Sequence, residues 1–225
     1  MDITAIVPAA GEGKRIGGHK PYLLLQDKPI LAHTLITLQK FDFLSEIILV
    51  VKKTKIDFCR KEVIKKYNLS KVKKIIAGGA TRLDSVFKGL REVNNKAKLV
   101  FIHDGVRPFL SEEVAAKVVR AAKRYRAAAP AFPCIETIKE IKDNLFVEKT
   151  LLRQKIWFVQ TPQVFQRALI VKAYEKAKKK GIRAGDDTEL VERMGQAVKL
   201  VKGNYRNIKI TFLEDMILAQ GLCRT

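Results

Sequence analysis

Four short runs rich in β-branched residues, ITAIV (3–7), EIILVV (46–51), VKKII (72–76) and KLVFI (98–102), alternate along the chain with helical patterns. No other feature restricts the fold as much. A strand that is followed by a helix and then by another strand returns as a parallel neighbour, so regular alternation predicts a mostly parallel sheet with helices on both faces. The intervening segments support this. Residues 30–40 place Leu31, Leu35 and Leu38 on one helical face, with Pro29 suited to the first turn. After GGAT, Leu83, Val86, Phe87 and Leu90 recur at helical spacing, and Thr81 with Asp84 predicts an N-terminal cap. A further helix is expected from Ser111, with Glu112 and Glu113 in its positive first turn.

The chain has 225 residues and 47% of them are hydrophobic, enough to bury the core of one α/β domain spanning 1–225. Apolar runs such as IILVV (47–51) are far short of the roughly 18–20 residues that cross a bilayer, and no secretory signal is visible. Three cysteines, Cys59, Cys134 and Cys223, lack CxxC spacing. The expectation is a cytoplasmic protein with reduced thiols and no membrane partner. Net charge is +21, with lysines spread through KKYNLSKVKK (65–74), KVVRAAKRYR (117–126) and KAYEKAKKKG (172–181), all of helix-like composition. Spread lysines are the mark of solvated faces, and no nucleic-acid motif accompanies them, so a nucleic-acid partner is not expected. Anionic small substrates suit the charge.

One region breaks the rhythm. CIETIKEIKDNLFVEKTLLRQKIWFVQ (134–160) alternates apolar and polar residues around a turn-like KDN, which predicts a β-hairpin inserted into the βα series. An excursion this short buries little by itself. It must fold back on its own sheet or pack on a partner chain.

Ligands of open α/β sheets bind beyond the carboxyl ends of the strands, where the first strand delivers a glycine-rich loop, 9–20. It is not a dinucleotide fingerprint, because Ile16 stands where the third glycine belongs, and not a Walker A loop, because His19 follows Gly18. It remains a turn whose N–H groups, with Lys14, Arg15 and Lys20, could wrap a polyphosphate. HDGVRP (103–108) follows the fourth strand and offers Asp104 beside Arg107, either as a Mg²⁺ or ribose ligand or as a helix-capping ion pair. QTPQVF (160–165) reads as a turn leading into a helix, and GDDTELVE (185–192) as two acids at a helix start. NIKIT (207–211) places Lys209 in a short strand opposite Ile208 and Ile210, where a lysine needs an anionic partner. Thr211 and Glu214 read as the capping box of a last helix.

VPAAGEGKRIG…K, GGATRLDSV, IHDGVRPFL, QTPQVF, GDDTELVE and VKGNYRNIKITFLEDM, in this order, resemble the 2-C-methyl-D-erythritol 4-phosphate cytidylyltransferases of isoprenoid precursor synthesis. The resemblance runs from residue 4 to about 216. It implies a Rossmann-like α/β domain whose β-arm, here 134–160, interlocks two subunits of a homodimer. It implies that CTP and a sugar phosphate are the substrates and that Mg²⁺ is the cofactor; the last motif lies close to residue 225, so the cyclodiphosphate synthase domain fused to some relatives is not expected. Ala9, Ala10, Gly11 and Gly13 would embrace the nucleotide, with Arg15 and Lys20 on the triphosphate. Gly79, Ala80 and Ser85 would read cytosine, and Asp104 and Gly105 would meet the ribose and metal. Arg107, Thr161 and Lys209 would hold the sugar phosphate, with Thr137 and Arg153 reaching it from the partner's arm. Arg15, Lys20 and Lys209 would be the catalytic cations.

Three departures stand out. HKPYL replaces the family's PKQ element, with Arg15 and Lys20 about two residues closer than usual. Gly185 stands at a substrate-binding position that usually carries threonine, and HDGVRP replaces HDAARP. Ribitol-5-phosphate cytidylyltransferases share the RPF and QTPQ elements, but the PAAG start and the 189–211 segment favour the methylerythritol family.

Overall fold

The computed structural model describes residues 2–11 and 20–224, so Gly13 and Arg15 of the glycine loop lie outside the described residues. The four expected strands are present as β1 (Ile3–Pro8), β4 (Glu46–Val51), β5 (Val72–Ala77) and β6 (Leu99–Ile102). They pair in parallel, β6 and β4 flanking β1, with β5 beyond β4. Between β1 and β4 lie a two-residue ladder of β2 (Leu24–Leu25) and β3 (Lys28–Pro29), then helix α1 (Ile30–Gln39). A short α2 (Ile56–Phe58), continued as a π-helical turn over Cys59–Lys65, precedes β5, and α3 (Arg82–Arg91) precedes β6. The lysine-rich 65–74 stretch is not a helix. It leaves the π turn, reverses at Asn68 with φ of 52°, and enters β5.

Both faces of the sheet are covered. In β1, Ile3, Ala5 and Val7 join one core with α1 and with α4 (Glu112–Tyr125), whereas Ile6 joins a second core with α3 and with α5 (Arg167–Lys180). That alternation is the period-two geometry of a strand buried on both sides. The caps hold as expected. The Thr81 hydroxyl accepts from Asp84 N–H at 3.0 Å while Asp84 accepts from Thr81 N–H at 3.2 Å, and Ser111 accepts from Val114 N–H. Such a cap contributes about 1 kcal/mol to its helix.

The sheet continues past β6 with further strands, one of them inside the 134–160 segment read as a hairpin and the others not revealed by the sequence pattern. QTPQVF (160–165), expected to be a turn leading into a helix, instead enters β11 (Gln163–Gln166), antiparallel between β6 and β7 (Ala127–Pro133), before α5 begins at Arg167. Along the same edge of β7 runs β10 (Trp157–Val159), and β12 (Lys199–Lys202) pairs β7 in parallel. The β10 and β11 segments are one chain path, interrupted at Gln160–Pro162 where the register slips; Gln160 N–H still donates to Pro130 O at 2.8 Å. The result is an eight-stranded sheet, parallel around β1 and mixed at its far edge. Helix α6 (Asp187–Glu192) lies against α5.

The inserted hairpin is present. β8 (Lys139–Ile141) and β9 (Val147–Thr150) pair antiparallel, and the turn between them uses positive φ at Asn144 and Leu145. Its side chains are exposed, with Leu145 at 80% and Phe146 at 72% of full accessibility. Two expectations fail at the other end. Residues 207–211 are loop rather than a strand: the Asn207 carbonyl accepts from Gln160 and Arg107, and Ile210 N–H donates to Val106 O. The last helix, α7 (Leu213–Leu222), is capped by Asp215, which accepts from Thr211 and Phe212 N–H at 2.7 and 2.8 Å; Glu214 does not take that part.

Candidate active site

Beyond the carboxyl ends of β1 and β6 lies a cavity of about 320 Å³, lined by Pro8–Gly11, Lys20, Arg82, Ser85, Asp104 and Lys209 among others. Each wall is delivered by a different βα unit. The turn after β1 is held flat by Ala9 N–H donating to Val50 O and Gly105 N–H donating to Pro8 O. Gly78 lies against it so closely that an added Cβ would stand 2.4 Å from Ala10 Cβ. A side chain there would push the turn into the cavity.

Asp104 is the electrostatic centre. It is 5% exposed, and three cations converge on it: Arg82 Nε 3.0 Å from Oδ1, Lys209 Nζ 2.9 Å from Oδ2 and Arg107 Nε 3.6 Å from Oδ2. Burial alone would raise its pKa, but Arg82, Lys209 and Arg107 outweigh it and hold the carboxyl well below the ordinary carboxylate range. Lys209 thus has the anionic partner that its setting between Ile208 and Ile210 demanded. Its loop is pinned on both sides: Ile210 N–H donates to Val106 O, and Arg107 Nη1 donates to Asn207 O.

Beneath Asp104 lies a neutral strut. His103 Nε2 is 3.0 Å from the Arg107 carbonyl and Nδ1 is 2.9 Å from Thr161 Oγ1. A carbonyl can only accept, so Nε2 carries the proton, Nδ1 accepts from the Thr161 hydroxyl, and Thr161 Oγ1 accepts from Asp104 N–H at 3.1 Å. Burial pushes the His103 pKa down to about 4, so the ring stays neutral near pH 7. Thr161→Val, which keeps the shape, strands His103 Nδ1 and Asp104 N–H; the expected loss is about 2–4 kcal/mol of unfolding free energy. Denaturant titration measures it, and a loss below about 0.5 kcal/mol would show that the strut is dispensable.

The QTPQ stretch ties three neighbourhoods together. Gln160 Nε2 donates to the carbonyls of Asn204 and Asn207, fixing the Lys209 loop. Thr161 holds His103. Gln163 Oε1 accepts from the N–H groups of Asp187 and Thr188 while its Nε2 donates to Asp186, fixing the start of α6. Asp186 is the N-cap of α6, accepting from Glu189 N–H. Its neighbour differs from what the sequence implies, because Asp187 is fully buried and takes both terminal nitrogens of Arg82, at 3.1 and 2.8 Å.

Of the expected site residues, the structure gathers Ala9, Ala10, Gly11, Lys20, Ser85, Asp104 and Lys209 at the cavity. Arg107 and Thr161 stand behind Asp104, and Gly105 packs under the Pro8–Ala9 turn with its carbonyl accepting from Thr34. Gly79 and Ala80 line an adjoining recess, and Gly79 N–H donates to Ser85 Oγ, whose proton goes to Thr81 O. Gly185 lines a separate, larger cavity of about 660 Å³ beside α5, reaching Glu189 through its N–H rather than facing Lys209. Thr137 and Arg153 are exposed on the arm, Arg153 donating to Ile135 O.

Four residues escaped the sequence reading: Arg82, His103, Asn207 and Asp187. Arg82 left one signal. A cation in the first turn of a helix opposes the helix dipole and needs acidic compensation, here supplied by Asp104 and Asp187.

Comparison with known proteins follows the same outline. The family model described as 2-C-methyl-D-erythritol 4-phosphate cytidylyltransferase matches residues 3–225. Proteins of that name from Alkaliphilus metalliredigens and Syntrophus aciditrophicus are each 44% identical, over 98% and 99% of this chain and 92% and 96% of their own. The crystal structure of 4-diphosphocytidyl-2C-methyl-D-erythritol synthase from Anaerococcus prevotii superposes with a TM-score of 0.88 at 36% identity, covering 99% of this chain and 96% of that one. The cytidylyltransferase from Thermus thermophilus gives 0.84 at 32% identity, with both chains covered completely.

Proposed function

The chain belongs to the 2-C-methyl-D-erythritol 4-phosphate cytidylyltransferase family, and from that premise we propose that its cavity joins CTP to the sugar phosphate. The chain is thus a nucleotidyltransferase of isoprenoid precursor synthesis. A phosphate oxygen of the sugar phosphate attacks the α-phosphorus of CTP, a P–O bond forms, the bond to the bridging oxygen breaks, and pyrophosphate leaves with that electron pair. The nucleophile is already an anion, so no strong base is needed. The work is to bring two anions together and to spread charge as the bond order shifts.

The observation that carries this reading is the convergence of Arg82, Arg107 and Lys209 on Asp104 at a cavity also lined by Lys20. The backbone of Ala9, Ala10 and Gly11 would follow the nucleotide, with Lys20 on the triphosphate, and Ser85 with Gly79 and Ala80 would meet the base. Arg107 and Lys209 would exchange part of their hold on Asp104 for the sugar phosphate. Thr161 offers that phosphate a hydroxyl proton only by releasing His103.

Among the described residues no cluster of three or more acidic, histidine or cysteine side chains could hold a metal alone. Asp104 would serve a Mg²⁺ site of another kind, in which substrate phosphates draw Lys209 from Oδ2 and complete the coordination of one carboxylate. Bound there, the ion would neutralise phosphate charge. Asp104→Asn is expected to raise the Mg²⁺ concentration for half-maximal rate by about tenfold. An unchanged Mg²⁺ profile would assign Asp104 to its three cations alone.

The arm supports a homodimer. Its hairpin leaves Ile141, Leu145, Phe146 and Val147 in solvent, more apolar surface than an isolated hairpin keeps without a partner. The partner's Thr137 and Arg153 would then complete each sugar-phosphate pocket. The cysteines are free, as in a reducing cytoplasm, and no helix among the described residues is long and apolar enough to cross a membrane. Pyrophosphate release with CTP tests the reading. Turnover is expected with 2-C-methyl-D-erythritol 4-phosphate, and faster turnover with ribitol 5-phosphate would overturn it.

A further inference from the structure

Arg82 lies in the first turn of α3, where the helix dipole disfavours a cation, yet it is held from two directions. Its Nη1 and Nη2 donate to the two oxygens of Asp187, and its Nε donates to Oδ1 of Asp104. Asp187 is itself anchored. It is fully buried, it accepts from the Tyr174 hydroxyl, and its N–H donates to Gln163. The Tyr174 ring stacks on Phe87 of α3, with centroids 6.0 Å apart and planes at 4°. Asp104 in turn is gripped one oxygen at a time, Oδ1 by Arg82 and Oδ2 by Lys209. The carboxylate therefore cannot rotate without breaking an ion pair, and the Lys209 ammonium is held on the side that Arg82 leaves open.

We propose that Arg82 is a positioning residue for nucleotidyl transfer, fixed by the buried Asp187 and setting through Asp104 where the Lys209 ammonium meets the reacting phosphates. The fork geometry matters. Arginine donates two parallel bonds to Asp187 and a third, from Nε, to Asp104, and a lysine cannot do both. The role rests on the cytidylyltransferase reading, because it concerns the placement of Lys209 in that reaction. It accounts for Asp187, a buried carboxylate that helix capping does not explain, since Asp186 already caps α6.

The test is steady-state kinetics on the full-length enzyme with CTP and 2-C-methyl-D-erythritol 4-phosphate, with melting curves for every variant. Asp187→Asn and Arg82→Lys are expected to lower kcat by about 10- to 100-fold while KM for CTP stays within about threefold, because a misplaced group costs rate rather than binding. Tyr174→Phe, which keeps the stacked ring, loses a few-fold by the same route and serves if Asp187→Asn does not fold. The deciding measurement is coupling. The path runs from Asp187 through Arg82 and Asp104 to Lys209, so Asp187→Asn or Tyr174→Phe made in a Lys209→Ala background should cost less than about twofold further. Full activity of Arg82→Lys, or a loss of the same factor with and without Lys209, would overturn the proposal and leave Arg82 as a structural tie. Wild-type enzyme without turnover would instead sink the cytidylyltransferase reading, and the role of Arg82 with it.

Discussion

Lys209→Ala is expected to lower kcat by about two to three orders of magnitude, the usual loss when one preorganised charge donor is taken from a developing anion. The protein should survive the change. Asp104 keeps Arg82 at 3.0 Å and Arg107 at 3.6 Å, so its buried carboxylate is still compensated, and the lysine is partly solvated already. Some stability is expected to go with the pair because Asp104 is buried, but the two cations that stay limit the loss. Melting curves and kcat measured side by side separate the two effects. A kcat within about fivefold of wild type would leave Lys209 as a surface ion-pair partner and nothing more. Lys20→Ala, also in the lining of the cavity, is expected to lower kcat by a similar factor.

The second large effect is a recovery. If the arm crosses to a partner, Arg153 completes a pocket whose Lys209 belongs to the other subunit, so Arg153→Ala and Lys209→Ala homodimers are both nearly inactive. Each mixed dimer then contains one site with both defects and one with neither. Random exchange makes about half of the dimers mixed, so about a quarter of all sites regain activity. An exchange demonstrated by mass or by tag, with no activity regained, would return Arg153 to its own chain or remove it from the site. Within one chain Arg153 braces the arm, donating to Ile135 O.

The parallel half of the fold was legible because its strands are long, β-branched and buried on both faces, which is what runs such as EIILVV encode. The antiparallel half was hidden for stated physical reasons. Strand β7 is AAAPAFP, four alanines and two prolines, poor β-formers that succeed here because Ala127, Ala128, Ala129 and Ala131 are fully buried between close-packed layers. Strand β11 begins one residue after a proline and carries a glutamine at each end, so it resembles a turn until its neighbours are known. Among site residues, motif order pointed to Lys20, Ser85, Asp104 and Lys209. It did not point to Arg82 or Asn207, whose roles are set by partners 105 and 100 positions away in the chain.

Those separations bear on how the molecule comes into being on the ribosome. Asp104 is made long before Lys209, and at synthesis rates of about 5–20 residues per second roughly 5–20 s pass between them. Meanwhile Asp187, Gln160 and Asn207, which fix the geometry around Asp104, are also still to come. Contacts this distant in sequence are slow to close and come late. The parallel strands can therefore pair while the chain is still growing, whereas the charged cluster is completed only when the segment around residue 209 has left the exit tunnel.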